Sequence, residues 1–303
     1  MQNHEVHKQT PFAFHKDSSI RFDNIKPAKG LQNIRSLFEK RMIKEPESAV
    51  LDAINTYGYL NAFLIRLLVE QRMECTQSFC KELLAKMVKL GLLCRFRIVY
   101  NDIDKKEHAS SYIYTFSERG RKLFGRQKES MEEIDSLDVL TTLAFNQFYI
   151  MTKHTYRDAL TNAVYCNKND VMPYDGRIQF LSNGKAVRLD VLTIRQNEQW
   201  EKEFLKKLKK QITYTATKSS AVLVLCETEL QALSAERARK SVKELNEIEI
   251  CYLCDFSTCS GKPTLEQLIR VNAESDYSSY EVCVLPVDGT IRPTESMSKE
   301  DSI

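Results

Sequence analysis

The apolar positions fall into helical spacing from Glu45 onward. Ala49, Val50, Ala53 and Ile54 lie on one face of a helix expected to end at Tyr57-Gly58. Asn61 is placed to cap a second helix that turns Leu64, Leu67 and Leu68 inward, and Thr76 a third that runs to Leu90. The third helix has Cys80, Leu83, Leu84, Met87 and Val88 as its apolar stripe. Gly91 follows, where a helix end wants a left-handed residue, and Leu92 closes back on the last turn. The period then drops to two. Phe96, Ile98 and Tyr100 alternate with Arg95 and Arg97, and Tyr112, Tyr114 and Phe116 alternate again. The polar stretch 101–111 (NDIDKKEHASS) joins these runs into a hairpin, and Ser117 caps a short helix after it.

The second half of the chain reads differently. Residues 137–165 form a long helical stretch, one helix or two, with Leu140, Leu143, Ala144, Phe148 and Met151 as core. Beyond Pro173, 177–181 and 186–194 are strand-like, joined by the turn Ser182-Asn183-Gly184-Lys185. An amphipathic helix over 197–212 gathers Trp200, Phe204, Leu205, Leu208 and Ile212 on one face. The run SAVLVLC at 220–226 is continuously apolar, as in a strand buried on both faces. A charged helix over 229–246 and a strand over 248–256 complete the pattern. Residues 1–44 are weakly periodic, with a basic helix expected over 31–41, and 288–303 read as a disordered tail.

Gly and Pro together make only 16 of the 303 residues, less than half the usual share of roughly 12%. That excludes collagen-like and linker-like material. With 43% apolar and 28% charged residues, there is enough apolar material for a true core. No apolar run approaches the ~20 residues of a membrane span, and the N-terminus has no apolar signal-like region. The nine cysteines (75, 80, 94, 166, 226, 251, 254, 259, 283) are odd in number and scattered through apolar segments. No disulfide framework is expected, and the reducing cytoplasm is the expected location, with no membrane partner.

The formal net charge is +3. Cut at residue 126, the chain has 22 Lys/Arg against 14 Asp/Glu in the first part and 22 against 27 in the second, or +8 and −5. The predicted organisation is a basic extension (1–44), a module over 45–126, an acidic linker near 127–138, a module over 137–287, and the tail. Residues 45–126 alone hold 13 basic and 10 acidic groups, so strong affinity from charge alone is excluded.

Three helices followed by a hairpin is the order of a winged helix-turn-helix, and LAKMVKLGLLCRFRIVY with SYIYTFSERGRKLF resembles that family. The resemblance implies that the third helix enters a DNA major groove. Gln77, Ser78, Lys81, Lys86 and Lys89 on its outward face, with Arg95, Arg97, Lys105 and Lys106 on the wing, are then the candidate contacts to double-stranded DNA. The second module resembles restriction-endonuclease-like folds, so the expected fold class is α+β. Taken together, the element order, Pro173-Tyr174-Asp175, the hairpin RIQFLSNGKAVRLDVLTIR and the Lys-rich helix EKEFLKKLKKQI resemble the replication-relaxation family of plasmids and integrative elements. That resemblance implies a DNA-binding protein of a mobile genetic element, acting in replication, transfer or its regulation. The second module would serve a homodimer or another protein partner.

Metal-dependent nucleases of the PD-(D/E)xK type hold Mg²⁺ with two carboxylates and need a Lys beside the second. Asp175 and Asp190 are the acidic candidates, but the tripeptide Asp190-Val191-Leu192 has Leu at the Lys position. Arg188, two residues before Asp190 and on the same face, and Lys206 or Lys209 of the next helix are the cations within reach, but with no Lys in place cleavage is not the expected activity. Cys251-x-x-Cys254-x₄-Cys259 lacks a second ligand pair, and no metal or cofactor is expected. An Mg²⁺-dependent nuclease and a protein-interaction adaptor that does not bind DNA remain the alternatives.

Overall fold

The computed structural model describes residues 11–25, 35–37, 39–40, 43–102, 104–125, 134–156, 160–165, 174–214, 220–260, 262, 264–273, 278–283 and 285. It is a mixed α and β chain with two sheets, divided into two compact units. One is His15–Asn146; the other is Met1–Phe14 with Gln147–Ile303. The division falls between Asn146 and Gln147. On this division the first unit holds 22 Lys/Arg and 18 Asp/Glu, a net of +4, because the acidic stretch 127–138 goes with the basic residues.

In the first unit, strand β1 (Ser19–Phe22) precedes α1 (Glu45–Tyr57), β2 (Leu60–Asn61), α2 (Ala62–Glu70) and α3 (Gln77–Lys89). Then come β3 (Leu93–Asn101), β4 (Glu107–Ala109), β5 (Ile113–Phe116) and α4 (Glu118–Leu123). The helices begin where side chains satisfy their free amides. Asn61 Oδ1 accepts the Leu64 N–H at 2.9 Å, Thr76 Oγ1 that of Phe79 at 3.2 Å, and Ser117 Oγ that of Gly120 at 3.0 Å. Helix α3 ends as its sequence predicts. Gly91 has φ 71°, its N–H bonds the Val88 carbonyl at 2.9 Å, and the Leu92 N–H reaches Met87 at 3.1 Å. Val50 and Ile54 of α1, Leu64 and Ile65 of α2, Leu84 and Met87 of α3 and Phe96 of β3 have 0% exposure, so three helices and the sheet share one core. Gly120 is required there, because a Cβ would lie 2.2 Å from the Leu92 carbonyl oxygen.

The antiparallel sheet runs β1-β3-β5-β2, with β4 also on β3. Two features differ from the expectation. Strand β1, inside the presumed extension, pairs with β3 from Ser19↔Val99 to Phe22↔Phe96; a four-residue strand is too short to show a period. The loop expected over 101–111 is shorter, because β4 continues the hairpin and the tip closes over 102–106. There the Asp102 N–H donates to the Lys106 carbonyl at 2.9 Å, and Lys105 takes φ 60°.

Helix α5 (Ser136–Thr155) contains the division between the units. The second unit continues with β6 (Leu160–Tyr165), β7 (Gly176–Ser182), β8 (Lys185–Thr193), α6 (Trp200–Tyr214), β9 (Ser220–Cys226) and α7 (Glu229–Lys240). Last come β10 (Ile250–Cys254), α8 (Asp255–Cys259), β11 (Leu268–Ala273) and β12 (Ser278–Cys283). The seven-stranded sheet is ordered β12-β11-β10-β9-β8-β7-β6. Strands β8, β9 and β10 are parallel, with α6 and α7 as crossovers, and the flanking strands are antiparallel. Asn183 (φ 51°) and Gly184 (φ 70°) make the predicted two-residue turn. The core packs Leu192, Ile194, Val222, Val224 and Tyr252 against Phe204 and Leu208 of α6 and Ala232 and Ala235 of α7.

The second unit also departs from its sequence pattern. Leu160–Tyr165 is a strand paired to β7 rather than the end of a helix. The helix expected to reach 246 stops at Lys240, and the strand expected to reach 256 stops at Cys254. Strands β11 and β12 were not foreseen. Most of the helix expected over 31–41, and the whole of 288–303, lie outside the described residues.

Candidate nucleic-acid interface

Helix α3 separates its residues by period. Cys80, Leu83, Leu84, Met87 and Val88 are buried, while Gln77, Ser78, Lys81, Glu82, Lys86 and Lys89 are exposed. Phe79, which the pattern reading did not single out, stands 39% exposed among them. Lys86 is committed to the fold. Its ammonium pairs with the enclosed carboxylate of Glu47 at the start of α1. Burial pushes the Glu47 carboxyl up, but the Lys86 bond and charge and the amides of Glu47 and Lys44 outweigh it, leaving it below its ordinary range.

The hairpin gathers further cations. Arg95 Nε donates to Asp23 Oδ2 at 2.6 Å, and its guanidinium lies 4.3 Å from the centre of the Tyr112 ring. Arg97 lies 3.9 Å from the same ring, so Tyr112 holds both arginines in place. Lys105 and Lys106 are exposed at the tip, which Asp102 braces by accepting the Lys106 N–H at 2.8 Å. Arg21 of β1 pairs with Glu107 through both its terminal nitrogens, at 2.7 and 2.6 Å. The sequence-predicted cations therefore divide. Lys81, Lys89, Lys105 and Lys106 face solvent, whereas Lys86, Arg95 and Arg97 are anchored by protein partners.

In the second unit, Asp175 and Asp190 are both engaged. Asp175 Oδ2 accepts the Thr193 N–H at 2.6 Å and its Oδ1 takes Lys207 Nζ at 2.9 Å. The lysine that arrives from α6 is thus Lys207, not Lys206 or Lys209. Asp190 has 0% exposure and accepts from Arg177 Nε, Arg177 Nη2 and Gln211 Nε2. Leu192 lies in the core. Among the described residues no group of three His, Cys, Asp or Glu is arranged to hold a metal ion. The Arg177 partner was legible: counting outward from the Asn183-Gly184 turn sets Arg177 opposite Asp190.

A second polar cluster lies at the carboxyl ends of β8, β9 and β10. Arg195 Nη2 donates to Asp255 Oδ1 at 2.9 Å, with both side chains enclosed. Glu227 Oε1 accepts the amides of Gln196 at 2.8 Å and Phe14 at 3.1 Å, and burial pushes its carboxyl above the ordinary range. Cys226 and Cys254 meet at this edge with sulfurs 3.8 Å apart, and Cys251 and Cys283 meet elsewhere in the sheet at the same distance. Comparison with protein-family models, curated proteins and solved structures finds no match for this chain. Among the described residues no helix is long and apolar enough to cross a membrane.

Proposed function

We propose that the chain is a DNA-binding protein in which the unit His15–Asn146 acts as a winged helix-turn-helix. The observation that carries the reading is the split face of α3: a fully used apolar stripe beneath, and Gln77, Ser78, Lys81 and Lys89 exposed above. The order of three helices and an antiparallel sheet supports it, as does a hairpin tip bearing Lys105 and Lys106. In this reading α3 lies in the major groove, its N-terminal residues toward base edges, and the tip lysines bind phosphate. The second unit joins subunits or recruits partners, and the mobile-element role implied by the family resemblance belongs to the same proposal. A nuclease reading is not favoured, because Arg177 and Gln211 already occupy the Asp190 carboxylate.

The test is affinity for duplex DNA, including DNA flanking the chain's own gene, titrated with salt. Each phosphate neutralised lowers the slope of log K against log salt by about 0.9. Lys81→Ala and Lys89→Ala should each weaken binding and reduce that slope by about one contact. Binding that is undetectable or indifferent to salt ends the proposal.

A further inference from the structure

We propose that Cys226 and Cys254 form a reversible intrachain disulfide site, closed by a low-molecular-weight disulfide such as oxidised glutathione. The two residues stand directly opposite each other in the register of the neighbouring parallel strands β9 and β10. Their Cα atoms are therefore one strand spacing apart, about 4.8 Å, within the roughly 4.4–6.8 Å that disulfides span. Their sulfurs lie 3.8 Å apart and both thiols are free. Cys226 is completely enclosed and Cys254 is partly exposed, which gives the pair an order of reaction.

The Cys254 thiolate attacks one sulfur of the oxidant, forming a mixed disulfide and releasing one thiolate. Cys226 then loses its proton to that thiolate and attacks the Cys254 sulfur, expelling the second thiolate, which takes up the proton that Cys254 gave to solvent. In balance, two protein thiols give up two electrons and two protons, and one small disulfide becomes two thiols. The hydrogen bond to Cys254 and burial keep the Cys226 thiol protonated until then. This suits a resolving thiol better than an attacking one. The site has a consequence for its surroundings. Cys226 is followed by Glu227 and Cys254 by Asp255, so the bond would tie two strand ends beside the carboxylates that hold Phe14, Gln196 and Arg195.

Another close thiol pair supplies an internal contrast. Cys251 and Cys283 also have sulfurs 3.8 Å apart, but β11 lies between their strands. Two strand spacings, roughly 9–10 Å between Cα atoms, exceed what a disulfide bridges. The Cys283 thiol is pulled down to about 7, chiefly by its hydrogen bond with Cys251.

The full chain is equilibrated in buffers of oxidised and reduced glutathione, quenched with iodoacetamide in denaturing urea so that the enclosed Cys226 is reached, digested without reduction and read by mass spectrometry. The expected result is a Cys226–Cys254 linked peptide, with alkylation of both cysteines falling about tenfold and restored by dithiothreitol. Cys226→Ser should stop at glutathione on Cys254. Wild-type protein bearing glutathione on Cys254 while Cys226 still alkylates overturns the proposal. So does full alkylation of both at saturating oxidised glutathione, or a Cys251–Cys283 cross-link in their place.

Discussion

Helix α3 and the hairpin β7–β8 each set charged side chains on a regular element, and the two elements use them in opposite ways. On α3 the helical period turns Lys81 and Lys89 to solvent while five apolar residues face the core. On β8 the two-residue period puts Asp190 on the side of Leu192 and Ile194, which pack against α6. Its charge is thereby enclosed, and a buried charge requires partners, here Arg177 and Gln211. Arg195 with Asp255, and Glu236 with Arg239 and Tyr252, repeat that arrangement in the second unit. An outward charge is available to another molecule; an inward one belongs to the fold. The second unit also carries outward cations, Lys202, Lys206 and Lys210 of α6 among them, so what marks the first unit is the grouping of its cations on α3 and the hairpin tip.

The contrast breaks most strongly at Arg195. Arg195→Met leaves the enclosed Asp255 carboxylate without its cation, and about 3–5 kcal/mol of stability should be lost. Urea unfolding measures this directly. Lys81→Ala, on the outward face, should change stability by no more than about 0.5 kcal/mol. Equal, small losses at the two positions would show that the division between inward and outward charge is wrong.

Lys86 sharpens the comparison, because it lies on the outward face of α3 yet reaches the enclosed Glu47. Lys86→Ala should cost about 1–2 kcal/mol at neutral pH, discounted because half the lysine is in solvent. Glu47 titrates below its ordinary range in the folded chain. Its stabilising contribution is thus present above the unfolded carboxyl value and is lost as pH falls. The cost of Lys86→Ala should shrink as pH falls from 7 through the carboxyl range to about 2.5, and a cost that stays constant over that whole range would mean that the ion pair contributes nothing.

These differences were unequally visible along the chain. The buried stripe of α3, its Thr76 cap and its Gly91 end follow from local spacing, because a helix closes its hydrogen bonds within a few residues. The Asn183-Gly184 turn is equally local, and it carries the Arg177–Asp190 pairing with it. Lys86 and Glu47 lie 39 positions apart, and no period connects them; only the packing of α3 on α1 does. Strand β1 is four residues long and acquires its identity from pairing with β3. Leu160–Tyr165 follows a long helix, and with no Gly or Pro to mark the break its apolar residues read as a continuation of that helix. The exposed face of α3 was accessible to sequence reasoning, whereas the anchoring of Lys86 and Arg95 depends on contacts far along the chain.

The smallest expected effect is at Glu227, where the sign carries more information than the size. Burial, the leading cause, raises its carboxyl, and the Arg195 charge only partly opposes this. A raised folded value means that the group's favourable contribution is complete below the unfolded carboxyl value and is lost as pH rises through the folded one. Glu227→Gln retains an oxygen for the Gln196 and Phe14 amides and removes the charge. The variant should therefore be more stable than the parent at pH 8, by up to about 1 kcal/mol, with the difference closing at pH 4. Unfolding free energies at the two pH values decide it. If the parent gains on the variant as pH rises, the Arg195 charge outweighs burial at Glu227, and the carboxyl-end cluster is a charge-paired site rather than an ion pair beside a carboxyl that burial disfavours.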